Sequence, residues 1–190
     1  MKKEVITITG SLGSGKSSTA AGVAKALGYG RFSAGDFQRA AAASLGLTVD
    51  KYQKLAEEDP SWDRKADDTL IAAGETPHRV IDARLGYHFI PDSFKVFLHL
   101  DSDIAAERIF QDAKVNQARH KEISGDMTAE TIEKGIRERL ASEIRRYQKH
   151  YHISDVYDLK YFDLCVDTSK HPLDEVIDIV VNGYKNWLAN

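Results

Sequence analysis

Residues 10–18 read Gly-Ser-Leu-Gly-Ser-Gly-Lys-Ser-Ser and follow directly on the apolar run Val5-Ile6-Thr7-Ile8. The spacing Gly10-x4-Gly15-Lys16-Ser17 matches the pattern G-x-x-x-x-G-K-[ST] in full. Glycines let backbone N–H groups turn inward and approach an anion closely. A helix starting at Lys16 offers its positive N-terminal end to the same anion. In such a loop Gly10, Ser11, Leu12, Gly13, Ser14, Gly15, Lys16, Ser17 and Ser18 cradle the phosphates of a nucleotide. Lys16 is expected at the β and γ phosphates, and the Ser17 hydroxyl on Mg²⁺. A plain Gly/Ser surface turn is the alternative, but it does not account for the position between a strand and a helix.

The rest of the chain bears on what the loop is for. A guanine-nucleotide switch needs an N-K-x-D segment to read its base, and none occurs. A transport or mechanical ATPase usually places Glu after the acidic residue of its second strand motif, to orient water. Here Asp82 is followed by Ala83. Transfer to an organic acceptor is therefore favoured over hydrolysis. Such transfer depends on positioning and charge neutralisation, which calls for arginines. Arg39, Arg64, Arg84, Arg108, Arg139 and Arg146 are the candidates.

Each candidate has an ordinary reading beside the functional one. Arg39 lies one turn into a helix that follows a strand end, and with Ser33, Gly35 and Asp36 in register it suits phosphate contact. Arg84 directly follows a strand, where ligands of parallel sheets bind. Asp82 could hold Mg²⁺ through water or contact the acceptor, or merely cap a turn. Arg64 shares a helix face with Asp67 and Asp68. A carboxylate accepts from cytosine N4, and an arginine donates to N3 or O2. The same pair could be a surface ion pair worth little. Arg137, Arg139, Arg145 and Arg146 sit on one charged helix, and spacing does not tell which turn inward. His150 and His152 are two apart, so a metal pair is not expected. Cys165 reads as a small core residue, and Trp62 and Trp187 as packing anchors.

These side chains need a scaffold. Strands are expected over 5–9, 29–33, 78–83, 94–100 and within 161–169. Helices are expected over 16–27, 34–46, 48–60, 61–74, from 104 to 112, over 129–150 and over 173–188. Asp50 and Ser61 are placed as caps near the starts of the third and fourth of these, and Gly28 and Gly46 as helix ends. Residues 113–128 are polar and weakly periodic, a mobile segment made basic by Lys114, Arg119, His120 and Lys121. Alternation of strands and helices implies an α/β fold, with a parallel sheet covered on both faces.

Composition sets outer bounds. The 190 residues suffice for one domain, and 42% hydrophobic with 29% charged residues fits a soluble globular protein. A net charge of -3 argues against binding nucleic acid polymers or membranes. One cysteine excludes an internal disulfide and fits the cytoplasm. No signal peptide or membrane span is expected.

Taken together, the segments resemble the cytidylate kinase-like family, in its short, archaeal-type form. Residues 33–39, SAGDFQR, are similar to the family's acceptor-binding S/T-x-G-[DE]-x-x-R segment. Residues 56–68, AEEDPSWDRKADD, resemble its acidic Asp-Arg helix, and RERLASEIRRY at 137–147 keeps an R-x3-[DE]-x2-R pattern. YDLKYFDLCVDTS at 157–169 resembles its closing strand. The resemblance implies a P-loop NTPase three-layer fold: a five-stranded parallel sheet, acceptor-binding helices over about 33–75 and a lid over about 113–128, in one domain. It implies that Ser33 and Arg39 contact the acceptor monophosphate, Arg84 its phosphate, and Arg64 with Asp67 or Asp68 its base. Arg139 and Arg146 reach over the phosphates, Glu143 contacts the acceptor sugar, and Arg108 flanks the ATP base. The longer bacterial members carry Arg-Asp where this chain has Arg84-Leu85, and an inserted domain, so base selection does not carry over. The expectation is a nucleoside monophosphate kinase using ATP and Mg²⁺ on CMP or dCMP, acting as a monomer or homodimer. The alternatives are a kinase of AMP or a non-nucleotide metabolite, or a non-catalytic nucleotide-binding module.

Overall fold

The computed structural model describes residues 2–59, 61–115 and 128–190. Five strands form one sheet: β1 (Val5–Gly10), β2 (Gly30–Ser33), β3 (Arg79–Asp82), β4 (Phe94–His99) and β5 (Leu164–Asp167). Their order is β2-β3-β1-β4-β5, and every neighbouring pair is parallel. All six residues of β1 are buried, as the central strand of a sheet covered on both faces requires. β1 ends beside β3 and β4, so the loop at Ser11 and the residues after Asp82 emerge together at one sheet edge.

Eight α-helices are described: α1 (Lys16–Leu27), α2 (Ala34–Ser44), α3 (Val49–Glu58), α4 (Ser61–Glu75), α5 (Gly86–Phe89), α6 (Ser102–Val115), α7 (Ala129–Tyr151) and α8 (Leu173–Ala189), with one 3-10 turn at Leu159–Tyr161. On one face of the sheet, Val23 and Ala24 of α1 and Val176, Val180 and Tyr184 of α8 pack on Ile6, Ile8, Val96 and Leu98. On the other, Leu70 of α4 joins Val5, Ile81 and Ile90. Trp187 packs beside Phe94 and Tyr184, and Trp62 lies edge-on to Tyr52, so both tryptophans anchor packing. No helix among the described residues is long and apolar enough to cross a membrane.

Local departures from expectation have local causes. Thr48, not Asp50, caps α3, because its hydroxyl accepts from the Lys51 N–H. Ser61 is the first residue inside α4 rather than its cap, and its N–H donates to the Asp59 carboxylate at 2.8 Å. α6 begins at Ser102 and continues through Val115, so residues 113–115 are helix rather than mobile segment. Ala113, four residues after buried Ile109, is 2% exposed, so the buried face of the helix continues past residue 112. Residues 116–127 of that segment, with Arg119, His120 and Lys121, lie outside the described residues, and Thr128 caps the helix that follows. Cys165 is exposed, not in the core: β5 is an edge strand, and its alternation turns Cys165 outward while Val166 turns in.

Candidate active site

The loop between β1 and α1 is bound back onto the sheet. The Ser11 N–H donates to the Leu98 carbonyl at 3.0 Å, and the Leu100 N–H to the Ser11 hydroxyl at 3.3 Å. The buried Ser14 hydroxyl donates to the Ser11 carbonyl at 2.9 Å. Gly13 and Gly15 have φ of 76° and 81°, left-handed values that a side chain disfavours. Leu12 packs toward Ala106, Ile109 and Ile132, which ties the loop to α6 and α7. The result is a curled backbone that opens onto the N-terminus of α1.

Lys16 crosses back over this curl. Its Nζ donates to the carbonyls of Gly10 and Ser11, at 2.9 and 2.8 Å. Burial, and then Arg84, bring its pKa down to about 7, with Asp82 and Glu143 opposing. The Ser17 hydroxyl donates to Asp82 Oδ2 at 2.5 Å, and the Ser33 hydroxyl to the same oxygen at 3.4 Å. Register explains this meeting, since Asp82 is paired with Ile8 on one side and Ser33 on the other. Asp82 therefore joins the start of α1 to the start of α2. Ser33 also caps α2, accepting from the Asp36 N–H at 3.3 Å.

The cleft arginines come from α2, the end of β3, α6 and α7. Asp36 accepts from Arg31 and Arg39, each at 2.6 Å. Burial would raise its carboxyl, but Arg39 and Arg31 outweigh this and hold it below its ordinary value. Arg84, just past β3, has a side chain 10% exposed. It lies 2.6 Å from Glu143 Oε2 and donates to the Tyr157 hydroxyl at 2.8 Å. Burial works against its charge, but Glu143, Tyr157, Tyr147 and Asp82 together outweigh that, so the guanidinium stays protonated. Arg139 donates to the other oxygen of Glu143 at 3.2 Å. Arg146 is 5% exposed, with its guanidinium 5.3 Å from the Tyr147 ring centre. Arg108 is held by Thr168, donating to its carbonyl at 2.7 Å and its hydroxyl at 3.3 Å.

These side chains line one cleft of about 560 Å³. Leu12, Gly13, Gly15, Lys16, Ser17 and Ser18 come from the loop and α1, and Gly35 and Arg39 from α2. Asp82 and Arg84 follow from β3, Arg108 from α6, and Arg139, Glu143 and Arg146 from α7. Gly10, Ser11 and Ser14 shape the loop from behind, and Ser33 and Asp36 support the wall. Arg64 and Asp67 do not line the cleft: Arg64 is exposed, and Asp67 accepts from the Tyr151 hydroxyl at 2.5 Å.

Other lining residues went unread in the sequence. Gln38 lies three residues after Gly35 on α2, a helical spacing that would have flagged it. Tyr147, Ile109 and Asp112 had no such signal, and neither had Tyr157, 73 residues from the arginine it touches. Burial pushes the Tyr147 hydroxyl up to about 12, so it stays a neutral donor.

The family model for the cytidylate kinase-like family matches residues 5–170. A cytidylate kinase of Natronomonas pharaonis is 33% identical over 186 residues, covering 95% of this chain and 90% of that protein. A cytidylate kinase of Halorubrum lacusprofundi is 34% identical over 180 residues, covering 93% and 87%. An S-adenosylmethionine-dependent nucleotide dehydratase of Lacinutrix mariniflava is 29% identical over 96% of this chain, which spans only 36% of that longer protein. Among solved structures, a shikimate kinase from Bacteroides thetaiotaomicron superposes with a TM-score of 0.64 at 13% identity, covering 94% of this chain and 96% of that one. A gluconokinase from Sinorhizobium meliloti gives 0.56 at 17% identity, covering 98% and 95%. At these identities the structural likeness shows the fold, that of P-loop kinases. The sequence match, over most of the chain, places it in a family: this protein belongs to the cytidylate kinase-like family.

Proposed function

We propose that this ATP-dependent phosphotransferase passes the γ-phosphoryl group of ATP to CMP or dCMP, giving the diphosphate and ADP. One observation carries the reading. A phosphate-binding loop and arginines from α2, the end of β3 and α7 line the same cleft. A nucleotide switch or a water-directed hydrolase has no use for so many cations opposite its loop. A transferase does, because two anionic substrates must meet there.

The residues divide the work by position. Lys16 and the loop N–H groups receive the donor phosphates. Arg39 and Arg84 hold the acceptor phosphate, and Arg139 and Arg146 neutralise charge on the group in transfer. The acceptor phosphate is already anionic, so no general base is needed. Ser17 and Asp82 offer hard oxygen donors 2.5 Å apart, which suits Mg²⁺, an ion that takes few protein ligands. Mg²⁺, when bound, neutralises charge on the donor phosphates.

Initial rates with CMP, dCMP, UMP, AMP and GMP at fixed ATP–Mg²⁺ test the acceptor class. CMP or dCMP is expected to be the best substrate, and no turnover with any of the five would overturn the reading. In the same assay, Arg84→Ala is expected to lower kcat/KM for the acceptor by about 100-fold or more, as for loss of one charge-stabilising donor. Near-normal turnover would sink the role given to Arg84. One observation favours a second reading, a nucleotide-binding module without transfer: 96% of the chain matches about a third of a nucleotide dehydratase. In that case nucleotides bind and ADP release stays at background.

A further inference from the structure

We propose that Tyr157 is a positioning residue that aims Arg84 at the acceptor phosphate. The proposal rests on the assignment of Arg84 made above. Arg84 is held by two groups of different character. Glu143 supplies charge at 2.6 Å, but it also pairs with Arg139, and it belongs to α7, the element that carries Arg139 and Arg146. Tyr157 supplies a neutral acceptor at 2.8 Å from a turn after α7.

That turn packs on the sheet as well as on α7, where buried Val156 meets Tyr147. The Tyr157 ring packs on Phe97 of β4, with centroids 5.3 Å apart, and Phe97 is 2% exposed. Phe97 in turn packs on Phe162 at 5.1 Å. The Tyr157 N–H donates to Asp155 Oδ1 at 2.8 Å, which shapes the turn. Arg84 itself stands at the end of β3. Both ends of the Tyr157–Arg84 bond thus have a contact on the sheet, Tyr157 through Phe97 and Arg84 through the end of β3.

The chemistry suits orientation. A carboxylate neutralises a guanidinium and competes with an incoming phosphate for it. A phenol accepts one N–H and leaves the positive charge intact. Burial pushes the Tyr157 hydroxyl above its ordinary value, so it remains neutral. Both contacts fall on Nη1, which leaves Nη2 and Nε to donate to an anion in the cleft. A fixed fork lowers the ordering cost of that bidentate contact.

Tyr157→Phe keeps the ring against Phe97 and removes only the hydroxyl. The expected result is an acceptor KM raised about tenfold, with the KM for ATP unchanged and the thermal midpoint lowered only by the few degrees that one lost hydrogen bond costs. Made in an Arg84→Lys background, the same substitution is expected to change acceptor KM by less than about twofold, because the partner fork is gone. An unchanged acceptor KM for Tyr157→Phe overturns the proposal. So does an equal rise in both KM values with a lowered midpoint, the mark of a merely structural tyrosine, or an equal effect in the two backgrounds. If Arg84→Ala leaves the acceptor KM unaltered, the underlying assignment of Arg84 fails instead. CMP titrations by calorimetry without ATP give the same comparison independently of turnover.

Discussion

Lys16 is where residue chemistry becomes measurable as a proton count. Its pKa is brought from 10.5 to about 7, by burial first and Arg84 second. The unfolded chain keeps this proton up to its ordinary value, whereas the folded chain loses it near 7. Between those values the unfolded state binds more protons, so this group's contribution makes stability rise with pH across the window. An arriving phosphate favours the ammonium form and raises the pKa again. Nucleotide binding at pH 8 is therefore expected to take up about one proton per site. Calorimetric titration of a non-transferable ATP analogue, in two buffers of different ionisation enthalpy, measures that uptake. Lys16→Met should remove it. Buffer-independent heats in the unmodified protein would contradict the coupling.

At the scale of elements, the loop works because its first residue lies against β4. Gly10 pairs with Leu98 in the sheet register. A Cβ built on Gly10 would stand 2.3 Å from the Leu98 carbonyl oxygen, and backbone cannot give way there as a flexible side chain could. Gly10→Ala must push the loop off the sheet, against the Ser11–Leu98 hydrogen bond. The expected cost is about 1–3 kcal/mol, typical of overpacking, with a lowered midpoint in urea and a raised KM for ATP. Retention of both values would mean that the loop can move without consequence. The same element logic explains Ser33. One hydroxyl caps α2 and touches Asp82, so α2 starts in register with the β1–α1 loop.

At the scale of the molecule, α7 is the strut. It packs on α6 through Ile132 and Ile109. It reaches α3 and α4 through Ser142 to Glu57, through Lys149 Nζ to the Glu57 carbonyl at 3.4 Å, and through Tyr151 to Asp67 at 2.5 Å. It also delivers Glu143 to Arg84. Asp67 is thus engaged by a helix that must shift if it is to meet a base. Tyr151→Phe should loosen this tie while keeping the ring packed against Phe89 and Tyr147. Amide exchange in α4 is expected to rise about tenfold, the equivalent of one charge-assisted hydrogen bond, with β1 and β4 unchanged. Exchange equal to the parent protein in α4 would show that other contacts hold the helix.

The sequence by itself determined whatever rests on neighbours along the chain. Glycine spacing before Lys16 requires a phosphate-shaped turn, because left-handed backbone is a local property. Apolar runs alternating with helical periods lead to a covered parallel sheet, and Arg84 at a strand end follows from that topology. The tertiary structure decided what depends on packing between distant segments. It set Glu143 between Arg84 and Arg139, and brought Tyr157 to Arg84 across 73 residues. It gave Asp67 to Tyr151, and turned Cys165 to solvent because β5 forms an edge. A period in the sequence tells which residues share a face of a helix. The partners that face meets are set only when the whole sheet and its helices close around one another.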